Sequence, residues 1–175
     1  MKARDLELME ADTVSLAERI PGVPITSIWL VRLLQLLSRD LTLVLEEHVR
    51  PTGLSEAEVR ALVTLFAEPG GAAHPSDVCS RSLQSPANMS RISDRLLAGG
   101  FITRDSSNED RRRMVLRLTE DGDQLVRRLL PGVIKPLQGF FAAISEAEQG
   151  HLASQLKRIG IHLRQNAMFH IPKAN

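Results

Sequence analysis

The chain has 175 residues, 43% of them apolar, 25% charged and only 3% aromatic, with no tyrosine. That is the composition of one soluble globular domain, or of a small module set in a helical scaffold, and it offers too few rings for reading single strands or RNA by base stacking. The formal net charge is +1, yet residues 75–118 hold eight arginines against five acids while the remainder holds 14 bases against 16 acids, so a basic middle sits in a mildly acidic frame and points to a local anion-binding surface.

The first residues mix acids and bases and lack an apolar core, so no secretory signal is expected. The longest apolar stretch, residues 28–37, is interrupted by Arg32 and Gln35 and falls short of the roughly 20 residues a membrane span needs. A cytoplasmic protein without a membrane partner follows. The single cysteine, Cys79, has no internal disulfide partner and reads as a small packed residue on a short helix. The five histidines, His48, His74, His151, His162 and His170, show no ligand spacing, so neither a metal nor a cofactor is expected.

Residues 1–24 mix charges and contain Pro21, Gly22 and Pro24, which reads as a partly helical arm ending in a turn. Residues 25–49 have helix composition, and eight of the ten residues from 28 to 37 are apolar. A helix apolar nearly all round needs burial, most easily against a second subunit. Pro51-Thr52-Gly53 stops it, and Ser55 with Glu58 forms a capping box for a second helix whose inner face carries Val59, Leu62, Val63 and Phe66. Pro69-Gly70-Gly71 ends that helix, and His74-Pro75 opens a short one reaching about Ser82. Ser85-Pro86 then places a serine cap before a proline at the first helical position, and Gly99-Gly100 stops the resulting helix after Ala98.

Beyond Gly100 the period changes from helical to two. Residues 101–104 and 114–118 read as short strands, the second with Met114, Leu116 and Leu118 inward, joined by a charged loop. Thr119 caps a long helix that Pro131, Gly132 and Pro136 are expected to kink or divide. Ser145 and Glu148 form a last capping box, followed by the stripe Leu152, Leu156, Ile159 and Leu163.

Helix, short helix, longer helix and then a hairpin with a basic tip is the order of a winged helix-turn-helix. The fold class is therefore mainly α, with long N- and C-terminal dimerisation helices and one small β-hairpin wing. The expected organisation is an arm over residues 1–24, a dimerisation region over 25–50 and 120–175, and a DNA-binding domain over 51–119. In such a module the second helix of the turn enters the major groove and the hairpin tip reaches the neighbouring minor groove. On the helix from Pro86, the outward candidates are Ser85, Ala87, Asn88, Ser90, Arg91 and Arg95, with Met89, Ile92 and Leu96 turned inward. Asparagine suits adenine, and arginine suits guanine or phosphate. Asp110, Arg111, Arg112 and Arg113 form the wing tip, where a guanidinium fits a narrow, negative minor groove and a carboxylate can hold it in position.

Residues 108–122, reading NEDRRRMVLRLTEDG, resemble the signature of the MarR family: an Asp-x-Arg wing, a strand ending in Leu-Thr, then a glycine. Ser90-Arg91-Ile92, Leu96, Gly100 and Phe101-Ile102 extend the likeness, as does a Pro-x-x-x-Ile-x-Leu-x-Arg-Leu start over residues 24–33, nearest to the multidrug-efflux repressor subgroup. The resemblance implies a homodimer held by its first and last helices, a pseudo-palindromic double-stranded DNA operator, and release by small phenolic or lipophilic anionic effectors. It places Asp110 and Arg112 on the motif positions, with Arg112 as the minor-groove arginine. His74 departs from it, standing where the family has a threonine or serine cap, and so does Gly99 beside Gly100.

An effector pocket between the dimerisation helices and the DNA-binding module would be lined by Trp29, Arg32, His48, Arg60 and Phe66, a set suited to an aromatic acid. The alternative for the same residues is structural, with Trp29 in a core and Arg32 and Arg60 paired with acids. The rival function is a winged helix serving as a protein-interaction module without specific DNA binding. No nucleophile elbow, metal cluster or phosphate loop supports an enzyme.

Overall fold

The computed structural model describes residues 3–106 and 114–166. The chain divides into two compact units, Met1–Val44 and Leu45–Asn175. The first unit holds α1 (Ala3–Arg19) and most of α2 (Ile25–Val49). The expected arm thus contains a 17-residue helix. The two helices are stapled by Arg32, whose Nη1 donates to the Met9 carbonyl at 3.1 Å and to Thr13 Oγ1 at 3.0 Å. The Thr13 hydroxyl, fully buried, donates in turn to the Met9 carbonyl at 2.8 Å. Leu36 is buried, but Leu30, Val31, Leu34 and Leu37 remain exposed along α2. Within the single chain, the burial its composition calls for is incomplete.

The second unit contains α3 (Glu56–Phe66), β1 (Ala72–Ala73), α4 (Pro75–Arg81), α5 (Pro86–Ala98), β2 (Ile102–Ser106), β3 (Met114–Leu118), α6 (Glu120–Phe140) and α7 (Glu146–Gln165). Its core gathers Ala61, Leu62 and Leu65 from α3, Val78 and Cys79 from α4, Met89, Ile92 and Leu96 from α5, Ile102 and Leu116 from the sheet, and Leu125 and Val126 from α6. The inner face of α3 is wider than the sequence reading, because Ala61 and Leu65 are fully buried while Val63 and Phe66 are only partly so. Phe66 instead takes the Arg127 guanidinium of α6, 4.9 Å from its ring centre.

The sheet has three strands in the order β1-β3-β2, all antiparallel. The expected hairpin is therefore joined by a third, two-residue strand, in which Ala72 pairs with Arg117 and Ala73 with Leu116. Two alanines carry no strand signature, so only the pairing reveals the element. The inward alternation on β3 holds at Leu116 and weakens outward, since Met114 is 52% exposed where the strand runs past the core. Helix α6 is one element through Pro131 and Pro136, not two. Each proline removes a single i to i−4 hydrogen bond, and at the exposed Pro131 water can take up the freed carbonyl.

Both capping boxes form. Ser55 Oγ accepts from Glu58 N while Glu58 Oε2 accepts from Ser55 N, and Ser145 and Glu148 repeat the exchange. The Ser145 side chain and backbone hold the Glu148 carboxyl below the ordinary glutamate range. No residue of α7 is buried, and Leu152, Leu156, Ile159 and Ile161 stand exposed on it.

The start of α6 is seated on the sheet. Thr119 N donates to the Phe101 carbonyl at 3.0 Å, its hydroxyl donates to the Gly100 carbonyl at 2.7 Å, and the same oxygen accepts from Gly122 N at 3.1 Å. Gly122 is required by this approach, because a Cβ there would stand 2.2 Å from the Phe101 carbonyl oxygen. Replacing Gly122 with alanine should destabilise the fold by about 1–3 kcal/mol or more, read as a lower urea midpoint with an unchanged m-value.

Candidate nucleic-acid interface

Helix α4, the turn at residues 82–84 and helix α5 form the helix-turn-helix, with β2 and β3 as the wing beside it. The turn is built from local bonds. Gln84 N donates to the Cys79 carbonyl at 2.9 Å, the buried Cys79 thiol donates to the Gln84 carbonyl at 3.1 Å, and Gln84 Nε2 donates to the Ser82 carbonyl at 3.0 Å. Cys79 thus packs and closes the turn. At its apex Leu83 has φ +58° and is 70% exposed, a left-handed conformation that suits glycine better than a branched side chain.

Position 74 departs from a serine or threonine cap without a structural gap. His74 sits at the N-cap of α4 with no capping side-chain bond, and its Nδ1 instead donates to the Met114 carbonyl at 3.0 Å, tying α4 to β3. Pro75 and Pro86 both occupy the first helical position, as their sequence context predicts.

Helix α5 buries Met89, Ile92, Ser93 and Leu96. The 3.6-residue period then leaves Ser85, Ala87, Asn88, Ser90, Arg91 and Arg95 exposed, together with Asp94. The structure therefore brings the six predicted α5 residues onto one outward surface. Their engagements differ. Ser85 Oγ accepts from Asn88 N at 3.3 Å as the helix cap, and Asn88 Nδ2 donates to Gln84 Oε1 at 2.6 Å. Arg95 is committed to Glu58, Nε to Oε1 at 2.9 Å. Arg91 makes no ion pair or hydrogen bond among the described residues. Asp110, Arg111, Arg112 and Arg113 lie outside the described residues.

Much of the basic surplus seen in the sequence is neutralised in place. Arg104 pairs with Asp94 at 2.8 Å, Arg117 with Asp105 at 3.0 Å, and Arg81 with Glu68. Arg117 Nη1 also donates to the Gly70 carbonyl at 3.1 Å, fastening β3 to the turn before β1. Sequence reasoning takes Asp94 as a local partner of an arginine, or a helix-surface group, rather than a base reader, but misses Glu58 and Arg104 as determinants of this surface. Their partners lie 37 and 10 residues away, beyond any helical spacing.

Three of the residues expected around an effector are engaged locally. Arg32 staples α1 to α2, and Arg60 is paired in bidentate fashion with Glu56, Nε to Oε1 at 2.8 Å. Phe66 carries Arg127, Trp29 is half-buried in the first unit, and His48 is exposed in the second. A cavity of about 580 Å³ lies elsewhere, between α4, α5 and the wing, lined by Pro75, Ser76, Cys79, Ser80, Pro86, Met89, Ser90, Ser93, Arg104, Met114 and Leu116. Among the described residues no group of three or more His, Cys, Asp or Glu side chains could hold a metal, and no helix is long and apolar enough to cross a membrane.

A helix-turn-helix with an antiparallel sheet at its flank defines the winged-helix class of DNA-binding transcription regulators. The MarR family model matches residues 52–113. The transcriptional repressor MprA of Escherichia coli is 30% identical over 149 residues, 85% of each protein. The chain belongs to the MarR family. Among solved structures, AbsC, a MarR family regulator from Streptomyces coelicolor, superposes with a TM-score of 0.73 at 26% identity, covering 84% of this chain and 99% of that one. Sco3205 from the same organism, solved in complex with DNA, gives 0.70 at 19% identity over 82% and 89% of the two chains. BpsR of Bordetella bronchiseptica, whose DNA binding is regulated by 6-hydroxynicotinic acid, gives 0.66 at 22% identity over 74% and 91%.

The strained turn yields a direct test. Replacing Leu83 with glycine should stabilise the protein by about 0.5–1 kcal/mol, the relief of left-handed strain less the extra entropy of the unfolded glycine, measured as a higher urea midpoint.

Proposed function

We propose that this chain is a homodimeric, sequence-specific DNA-binding repressor acting in the cytoplasm, not an enzyme, with residues 51–119 as its DNA-binding domain. The observation that carries the reading is the outward face of α5. At its N-terminal half it presents Ser85, Ala87, Asn88, Ser90 and an Arg91 that is unpaired among the described residues, over an inner face of Met89, Ile92, Ser93 and Leu96. Short polar groups and one free guanidinium are what base edges and phosphates accept from a helix lying in a major groove. Arg112 is proposed for the minor groove, steadied by Asp110. The exposed apolar side chains of α2, and separately those of α7, support assembly with a second copy. A dimer sets two such helices about one helical turn (~34–36 Å) apart on a pseudo-palindromic operator.

The cavity against α5 supports release by a small ligand. Its largely apolar lining fits an aromatic or lipophilic ligand, and the DNA binding of BpsR, a structural neighbour, is regulated by the aromatic 6-hydroxynicotinic acid. A ligand acts here only if it prefers the arrangement that does not bind DNA.

The test is binding to the DNA upstream of the protein's own gene at several salt concentrations, with a random duplex alongside. Selective binding with log affinity falling by about 0.9 per neutralised phosphate for each decade of salt supports the reading; equal binding to both duplexes refutes it. Arg91→Ala should cost about 1–3 kcal/mol of operator affinity, and Arg112→Ala should weaken binding severely, both without changing the dimer mass. Ser80→Leu, which fills the cavity from α4, should retain operator binding and lose the response to aromatic acids in the same assay.

A further inference from the structure

Arg95 is exposed on the face proposed to meet DNA, and its residue type suits guanine or phosphate. Its contacts run the other way. Nε lies 2.9 Å from Glu58 Oε1 and Nη2 donates to the Gly53 carbonyl at 3.4 Å, so both sides of the guanidinium turn toward the start of α3. The Glu58 side chain is only 3% exposed, and its other oxygen accepts from Ser55 N at 2.7 Å. Each carboxylate oxygen therefore has one partner, the capping box on one side and Arg95 on the other. A guanidinium that swung out to a phosphate would leave a buried carboxylate oxygen without its cation, a loss that opposes the move.

The next residue toward the N-terminus anchors the opposite side. Asp94 pairs with Arg104 of β2 at 2.8 Å. Adjacent positions on a helix point about 100° apart, so residues 94 and 95 tie the C-terminal half of α5 to the wing and to α3 at once. Among the described residues the N-terminal half carries no such ion pair, and that is where the short polar side chains and Arg91 stand.

We infer that Arg95 is a positioning residue: through Glu58 it sets the angle at which α5 is offered to DNA, and it makes no contact with DNA itself. The inference rests on α5 being the DNA-reading helix, as proposed above. It separates two roles that the sequence cannot, since a phosphate-binding arginine and a helix-anchoring arginine occupy the same exposed position.

Glu58→Gln isolates the tie. A glutamine still accepts from Ser55 N and so keeps the capping box, while Arg95 keeps its charge and its freedom to reach DNA. Operator and random duplexes are titrated against salt with the wild-type protein, Glu58→Gln, Arg95→Ala and the double variant, with Arg91→Ala as the reference for a lost DNA contact. The expected result is that Glu58→Gln and Arg95→Ala each weaken operator binding tenfold or more, that the double variant is no weaker than either, and that all three keep the wild-type salt slope while Arg91→Ala flattens it by about 0.9. The inference is overturned if Glu58→Gln binds as the wild type does while Arg95→Ala flattens the slope on both duplexes. Should Glu58→Gln fail to fold, Arg95→Lys decides: a phosphate contact tolerates the lysine charge, whereas the forked geometry at Glu58 and Gly53 does not, so wild-type operator affinity in Arg95→Lys overturns it too. Failure of the wild-type protein to prefer the operator would count against the DNA-reading proposal as a whole, and is told apart because it precedes any variant.

Discussion

Burial of Met89, Ile92, Ser93 and Leu96 along one side of α5 decides what the other side can show. A helix held by one face has its rotation about its own axis fixed by packing, since turning it by one residue would expose Ile92 and bury Arg91. The capping serine at position 85 and Pro86 fix where the helix starts, and the ion pairs at positions 94 and 95 fix its far half against the sheet and α3. Everything presented to solvent by α5 follows from those constraints. The remainder of the second unit is arranged to supply the core into which this one face packs.

The helices outside that core tell a different energetic story. Helix α7 buries none of its residues, and α2 leaves Leu30, Val31, Leu34 and Leu37 between 40% and 52% exposed. Full burial of such a side chain is worth about 1.5–3 kcal/mol, so each helix carries apolar surface that the isolated chain leaves in water. The second unit's core, by contrast, is satisfied within the chain: Leu62, Leu65, Val78, Leu96 and Val126 have no exposed surface. One part of the sequence specifies a fold, and another part specifies an association.

What was legible in the sequence was local chemistry. Serine and threonine caps at positions 55, 85, 119 and 145 marked four helix starts, all of which form, and Gly99-Gly100 marked the end of α5. The α5 register came from periodicity alone, and so did the surface proposed to read DNA. What escaped was whatever depends on a distant partner. The strand Ala72–Ala73 exists only because Arg117 and Leu116 pair with it. The prolines of α6 looked like breaks because their local cost is plain, whereas the packing of Leu125 and Val126 that holds the helix onto the core is not. Arg32 suited an anionic ligand or an acid partner by residue type, but the bonds it makes are to Met9 and Thr13 on another helix, whereas the pairing of Arg60 with Glu56, four residues away, is of the kind the sequence already offered.

The basic surplus of the middle segment shows how composition and structure divide the argument. Counted along the chain, eight arginines against five acids describe a diffuse positive region. In three dimensions Arg81, Arg95, Arg104 and Arg117 are each matched to a carboxylate, two of those acids coming from outside the segment, so these four add little unpaired charge to the surface. Paired arginines stiffen the joints between α4, α5, α3 and the sheet, and their field at a distance is largely cancelled by their partners. Among the described residues of the segment, only Arg91 is left as a free guanidinium, at the middle of the face that α5 turns outward. A free guanidinium at one defined point of a packed helix suits reading position, whereas a uniformly basic patch would bind any polyanion with equal ease.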